Sequence, residues 1–148
     1  MRSTTRKAEL NRGEQFTAET LRLAGFGDLH FHERGLSGTP DVAIPSERLA
    51  VFHNGCFYHS HPGCSCARVP TKNVAFWERK FRANCARDRR VRAELEASGW
   101  RTITIWECAT KVGGPADAAE HVKTLLRRDF RHAEIWSLEH RPNPQMDD

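Results

Sequence analysis

The sequence predicts an α/β domain built on a mixed β-sheet core flanked by helices. Helical and strand-like periodicities alternate along the chain in the order α-β-β-β-α-β-α, the pattern of layered α/β architecture. Two short β-type runs, "DVAIP" and "RLAVFH", stand close enough to form a hairpin, and a β-branched run, "WRTITIWEC", returns after a long helix. With 148 residues the chain is long enough for one buried core.

Each element has its own signal. Residues 1–12 carry Arg2, Arg6, Lys7 and Arg12 with little to bury, and read as a basic amino-terminal arm ahead of a domain spanning 13–138. From Glu14 to Ala24, Phe16, Thr17, Thr20, Leu21 and Leu23 recur at helical spacing until Gly25 and Gly27 stop them. Leu29 and Phe31 alternate with His30 and His32, the period of a strand, and "RGLSGTPD" is a loop. A hairpin centred between Ser46 and Glu47 makes paired positions sum to about 93, as strict strand alternation requires. That register sets Asp41 opposite Phe52 and next to His53. The longest helix runs from Val74 to Ser98, ended by Gly99, with a stripe of Trp77, Phe81, Cys85, Asp88, Val91 and Leu95. Asp88 on that stripe must be paired or functional, because an unpaired buried charge is costly. "WRTITIWEC" is a strand ending in Cys108, "KVGGPADA" a linker with a proline helix start, and Ala118, Val122, Leu125 and Leu126 a last helix reaching towards Phe130. "AEIWSLEH" is compatible with either periodicity, and residues 139–148 read as a disordered tail.

Nothing approaches the roughly 18-residue apolar run of a membrane span. The first residues lack the apolar stretch of a secretory signal. A cytoplasmic location, with no membrane partner, is therefore expected. The net charge of +4 and pI near 9.0 fit a polyanionic partner mainly through their distribution. Arg79, Lys80, Arg82, Arg87, Arg89, Arg90 and Arg92 crowd one helix, although a solvated helix face explains the same cluster.

Chemistry concentrates in "HNGCFYHSHPGCSC", residues 53–66. Cys56, His61 and Cys64 have usable metal-ligand spacing, with Cys108 as a fourth donor and Cys66 as a competitor. Zinc favours four tetrahedral Cys and His ligands. Reduced, partly buried thiols beside surface histidines are the alternative. His59 lies between two of these donors on a rigid loop, a placement suited to a general base. Asp41, at the start of a strand and near a helix bearing Glu14 and Glu19, suits a Mg²⁺ ligand as well as a turn residue.

Taken together, "LSGTPDVAIPSERLAVFHNGCFYHSHPGC", "FWERKFRANCARDRRVRAELEASGW" and "RTITIWEC" resemble the very short patch repair (Vsr) endonucleases. The resemblance runs from about Glu14 to Cys108, with the blocks in the same order and separation. It implies a restriction-endonuclease-like fold with a structural Zn²⁺, and a Mg²⁺-dependent nick 5′ of the thymine in a T:G mismatch. Carried over by position, it makes Asp41 the principal Mg²⁺ ligand and the His53 backbone carbonyl a second. His59 handles the attacking water, Asp88 supports it, and Glu14 is the helical catalytic glutamate if one residue is gapped, with Glu19 as its rival. Cys56, His61, Cys64 and Cys108 match the Zn²⁺ ligands. Phe57, Tyr58 and Trp77 match aromatics that wedge into the base stack, although Trp77 also fits core packing. Two departures stand out: Tyr58 replaces the usual Trp, and His53-Asn54 stands where the best-known member type has Thr-His. The implied partner is double-stranded DNA with a T:G mismatch, bound by a monomer, with repair proteins as further partners. A nuclease of restriction or phage defence without mismatch specificity is the nearest alternative. A zinc-stabilised DNA-binding module with a decayed active site is the more distant one.

Overall fold

Asn11 starts the first helix two residues earlier than the apolar pattern alone indicates. In the computed structural model, which describes residues 10–64, 66–68 and 70–137, α1 spans Arg12–Leu23. The Asn11 side chain accepts the Glu14 N–H at 2.8 Å, and the Glu14 carboxylate accepts the Asn11 N–H at 2.9 Å. This reciprocal capping box satisfies two amides that the helix start leaves without partners. The basic arm before Leu10 and the tail 139–148 lie outside the described residues.

The strands β1 (His30–Phe31), β2 (Val42–Ile44), β3 (Leu49–Asn54), β4 (Arg101–Trp106) and β5 (His132–Ile135) form one sheet in the order β1-β2-β3-β4-β5. The first two pairings are antiparallel and the last two parallel, so the sheet is mixed as expected. A 3₁₀ turn, Pro45–Glu47, joins β2 to β3. It sets Val42 against Val51, Ala43 against Ala50 and Ile44 against Leu49, the register that the sequence predicts.

Strand alternation divides the sheet into two faces. Val42, Ile44, Leu49, Val51, Ile103, Ile105 and Ile135 point to one side, where α1 and α4 (Pro115–Leu126) cover them through Phe16, Leu21, Ala118 and Val122. Ala50 and Phe52 point to the other, under Val91 and Leu95 of α2 (Val74–Ala97). These two are the buried residues of α2, although its apolar stripe starts at Trp77. The amino-terminal part of the stripe therefore projects beyond the sheet, and its side chains serve the site.

The structure corrects four readings. Cys108 is in the first turn of a short helix, α3 (Glu107–Val112), rather than at a strand end. Lys111 is within that helix, so the linker shortens to Gly113 and Gly114 before Pro115 opens α4. The last helix ends at Leu126, short of Phe130. The ambiguous "AEIWSLEH" begins in β5, which pairs parallel to β4 and adds a fifth strand to the order. Two turns of helix are too short to show a period, and a parallel edge strand has no local partner to announce it.

Ile103, fully buried at the centre of β4, tests this core. Ile103→Ala is expected to destabilise the protein by about 2–5 kcal/mol through lost burial and a residual cavity. Leu23→Ala, at a half-exposed position, is expected to stay within about 0.5 kcal/mol. Urea denaturation of both measures the contrast, and equal losses would contradict this core assignment.

Candidate active site and metal centre

The carboxyl ends of the parallel strands β3 and β4 open into a cleft of about 860 Å³, walled on one side by α2. Asp41, Asn54, His59 and Asp88 line it, together with Arg87, Arg89 and Arg92.

Asp41 comes to the cleft along the loop from β1, which is pinned to α2. Gly38, at φ +77°, lies so close to Val91 that an added Cβ would sit 2.5 Å from its Cγ1. The Ser37 hydroxyl donates to the Glu94 carboxylate nearby. At the strand end the His53 N–H donates to the Asp41 carboxylate at 2.7 Å. In a β-strand the N–H and C=O of one residue point to the same side, so the His53 carbonyl also faces Asp41. Burial pushes the Asp41 carboxyl above its ordinary range; the His53 N–H works against this, and Glu14 adds to it. A carboxylate so placed gains from a cation.

Glu14 reaches this group from α1, and Glu19 is exposed on the same helix. The Glu14 carboxylate is 2.6 Å from His32 Nε2, and Glu14, His32 and Asp41 each offer one donor atom, all within 4.8 Å of one another. Sequence reasoning missed His32, treating it as the solvent side of a strand. The strand ends at Phe31, and His32 takes a left-handed backbone (φ +50°) that a period-two pattern does not contain.

The His53 ring faces the opposite side of the sheet and is held there. Its Nε2 is 2.8 Å from the Thr110 hydroxyl of α3, and its other edge fills the space that a Gly13 side chain would need. A Cβ at Gly13 would lie 2.5 Å from His53 Nδ1. Burial lowers the His53 pKa and keeps the ring neutral.

His59 stands on the loop after β3, with its Nδ1 2.7 Å from Asp88 Oδ2. If the carboxylate accepts the Nδ1 proton, Nε2 presents a lone pair, the arrangement of an oriented general base. The loop is clamped from α2, where Asn84 donates to the Tyr58 carbonyl at 2.8 Å and the Cys85 thiol to the His59 carbonyl at 3.6 Å. Burial raises the Cys85 pKa, which keeps that donor protonated.

Cys56, His61, Cys64 and Cys108 meet on the far side of the same loop, all buried, with donor atoms within 4.8 Å of one another. His61 Nδ1 lies 3.6 Å from the Cys56 sulfur and 3.7 Å from that of Cys108. The Cys108 N–H donates to the Cys56 sulfur and the Ser137 N–H to the Cys108 sulfur. Hydrogen bonding from the Cys56 thiol pulls the Cys108 pKa far down, and the same bond, with burial, pushes Cys56 up. Three thiols and an imidazole in a buried, amide-lined knot are a donor set that a cation completes.

The predicted aromatics also converge. Phe57 packs edge-on against Tyr58, Trp77 and Phe81 at centroid distances of 5.1, 5.2 and 5.1 Å. Trp77 belongs to this group rather than to the three buried core clusters. Tyr58 (54% exposed) and Phe76 (50% exposed) form its outer edge. Phe76, which touches Trp77 at 5.3 Å, was missed because it is off the apolar stripe of α2. Its exposure cannot be read from periodicity.

Comparison with known proteins gives a consistent result. The family model for DNA mismatch endonuclease Vsr matches residues 4–68. The type II nicking enzyme V.XorIIP of Xanthomonas oryzae pv. oryzae is 37% identical over 112 residues, covering 76% of this chain and 81% of that protein. The DNA mismatch endonuclease Vsr of Escherichia coli is 38% identical over 79 residues, covering 53% of this chain and 50% of its own length. The type II nicking enzyme V.NmeAIP of Neisseria meningitidis is 36% identical over 90 residues, covering 61% and 62% respectively.

The Gly13–His53 contact can be tested directly. In an open helix position Gly→Ala stabilises by about 0.8–1 kcal/mol. Here the imidazole occupies the space, so Gly13→Ala is expected to cost about 1 kcal/mol or more, with His53→Ala recovering part of the loss in the double variant. A stabilised Gly13→Ala protein in urea denaturation would show that the ring moves aside freely.

Proposed function

We propose, from the premise that this chain belongs to the Vsr family of DNA mismatch endonucleases, that it nicks one strand of duplex DNA 5′ of the thymine in a T:G mismatch. The chain is a DNA endonuclease, a phosphodiester hydrolase. Its restriction-endonuclease-like fold, mismatch specificity and metal identities are our reading. The observation that carries it is the His59–Asp88 pair at 2.7 Å, facing the same cleft as the half-buried Asp41.

Asp41, with the His53 carbonyl beside it, would hold Mg²⁺, and Glu14 stands close enough to bear on the same site. A bound divalent cation there supplies charge stabilisation to the phosphate and acidity to its water. His59, its Nδ1 bonded to Asp88, takes the proton of the attacking water on Nε2. Asp88 holds the ring and offsets the charge that forms on it. Cleavage leaves a 5′-phosphate and a 3′-hydroxyl. Cys56, His61, Cys64 and Cys108 would hold a structural Zn²⁺, which favours four Cys and His ligands. Phe57, Tyr58 and Trp77, with Phe76 at the edge, wedge beside the mismatch, because unstacking a step is offset by aromatic contact with the bases. The exposed arginines of α2 suit the phosphate backbone.

We place the protein in the cytoplasm, acting as a monomer on DNA with repair proteins downstream. No helix among the described residues is long and apolar enough to cross a membrane. Relatives named as type II nicking enzymes favour a second reading, nicking within a restriction system. The paired His59 and Asp88 argue against a decayed, binding-only module.

With zinc-loaded protein and Mg²⁺, the T:G duplex is expected to be nicked and matched and methylated duplexes spared. His59→Ala should lower the rate by about 10²–10⁴-fold, the usual contribution of a general base. Asp41→Ala should abolish nicking. Equal cutting of all duplexes would favour the restriction reading, and binding without cutting the module. Elemental analysis should find about one zinc per chain. Its removal by a strong chelator should lower the melting temperature, and an unchanged melt would defeat the ligand assignment.

A further inference from the structure

We propose that His32 is a third ligand of the catalytic cation, beside Asp41 and Glu14, and that it tilts the site from Mg²⁺ towards Mn²⁺. The inference rests on the metal-dependent nuclease reading and sharpens it at one residue. Donor atoms of the three side chains lie within 4.8 Å of one another, close enough to share one ion. His32 is tied to Asp41 through the backbone as well, since its N–H donates to the Asp41 carbonyl at 3.2 Å. The left-handed turn at His32 takes the ring out of the strand alternation to lie 2.6 Å from the Glu14 carboxylate.

A simple ion pair between His32 and Glu14 accounts for less of this arrangement. Glu14 is 13% exposed in its side chain, and its carboxylate and that of the half-buried Asp41 lie within 4.8 Å of one another. Two neighbouring carboxylates and one imidazole leave negative charge in a partly dehydrated site, which a dication balances better than a single proton. The nitrogen donor then selects the ion. Mg²⁺ takes oxygen ligands and sheds its waters reluctantly, whereas Mn²⁺, although it too favours oxygen and begins the first-row affinity series, is a transition-metal ion that gains more from a nitrogen donor than Mg²⁺ does.

The test uses the full-length, zinc-loaded protein without DNA, titrated with Mn²⁺ and followed by electron paramagnetic resonance. His32→Ala and His32→Gln, at a side chain 47% exposed, are expected to keep the fold, checked by thermal melting. Both should weaken Mn²⁺ binding by about tenfold or more, the scale of losing a ligand or its close support. Competition with Mg²⁺ should show Mg²⁺ affinity changing much less, so that the preference for Mn²⁺ falls. Pulsed measurements should detect nitrogen coupling to bound Mn²⁺ that persists in His59→Ala and disappears in His32→Ala. Unchanged Mn²⁺ affinity, or nitrogen coupling that survives in His32→Ala, would reduce His32 to an ion-pair partner of Glu14 while leaving the nuclease reading intact. Unchanged Mn²⁺ binding in Asp41→Asn would overturn both, because the site would then lie elsewhere.

Discussion

The parallel pairing of β3 with β4 is the constraint on which the rest of the site depends. Its six pairs run from Leu49–Arg101 to Asn54–Trp106, each partner 52 positions later in the chain. Cys56 and Cys108 continue that same offset two residues beyond the last pair, and the Cys108 N–H meets the Cys56 sulfur there. A slip of one residue would send Leu49, Val51, Ile103 and Ile105 to the wrong face, so the apolar core fixes the register. The core therefore aligns the two cysteines before any metal contributes. It also fixes where His53, Asn54 and Trp106 emerge, and with them the floor of the cleft.

Local sequence was sufficient wherever the relevant partner lay within one hairpin or one helix. The hairpin register follows from the short connection around Pro45–Glu47, and it places Asp41 next to His53. Asp88 was marked by its position on an apolar stripe, where an unpaired carboxylate is untenable, and its partner is His59. Helix α2 begins at the predicted Val74 and ends one residue before the predicted Ser98. The misses share a different cause. β5 depends on pairing with β4 across an intervening pair of helices, and α3 is stabilised by its place at the sheet end. His32 depends on a single left-handed residue. Phe76 depends on where the α2 start projects past the sheet. Each is set by tertiary geometry, which period and composition do not encode.

The two halves of the site solve different electrostatic problems. At Asp41, burial and Glu14 disfavour the ionised form, and the His53 N–H is a partial remedy. At the Cys₃His knot, the bond to Cys108 and burial raise Cys56, burial raises Cys64, and hydrogen bonds to its sulfur lower Cys108 alone. The first arrangement suits an exchangeable ion whose binding must respond to substrate, since its ligands are only partly compensated. The second suits a permanent ion, because all four donor residues are buried. On the proposed reading, differences in burial, more than in ligand identity, separate the catalytic from the structural centre.

Trp106 joins these halves mechanically. Its indole stacks on the His61 ring at 4.0 Å and 5°, and meets His59 edge-on at 6.4 Å. The indole N–H donates to Glu134 at 2.8 Å, and Glu134 is held in turn by His132 and by Arg92. Burial raises the Glu134 pKa, but the hydrogen bonds from His132 and Trp106 outweigh it and keep the carboxylate ionised. Its stabilising effect is thus present above the ordinary glutamate range and fades only as pH falls through its lowered pKa. His61 and His59 are separated by Ser60 alone, in a left-handed turn. Two histidines on one short loop, both against one anchored indole, cannot move independently. Loss of order at the Cys₃His knot must therefore loosen the His59–Asp88 geometry, although no knot residue lines the cleft.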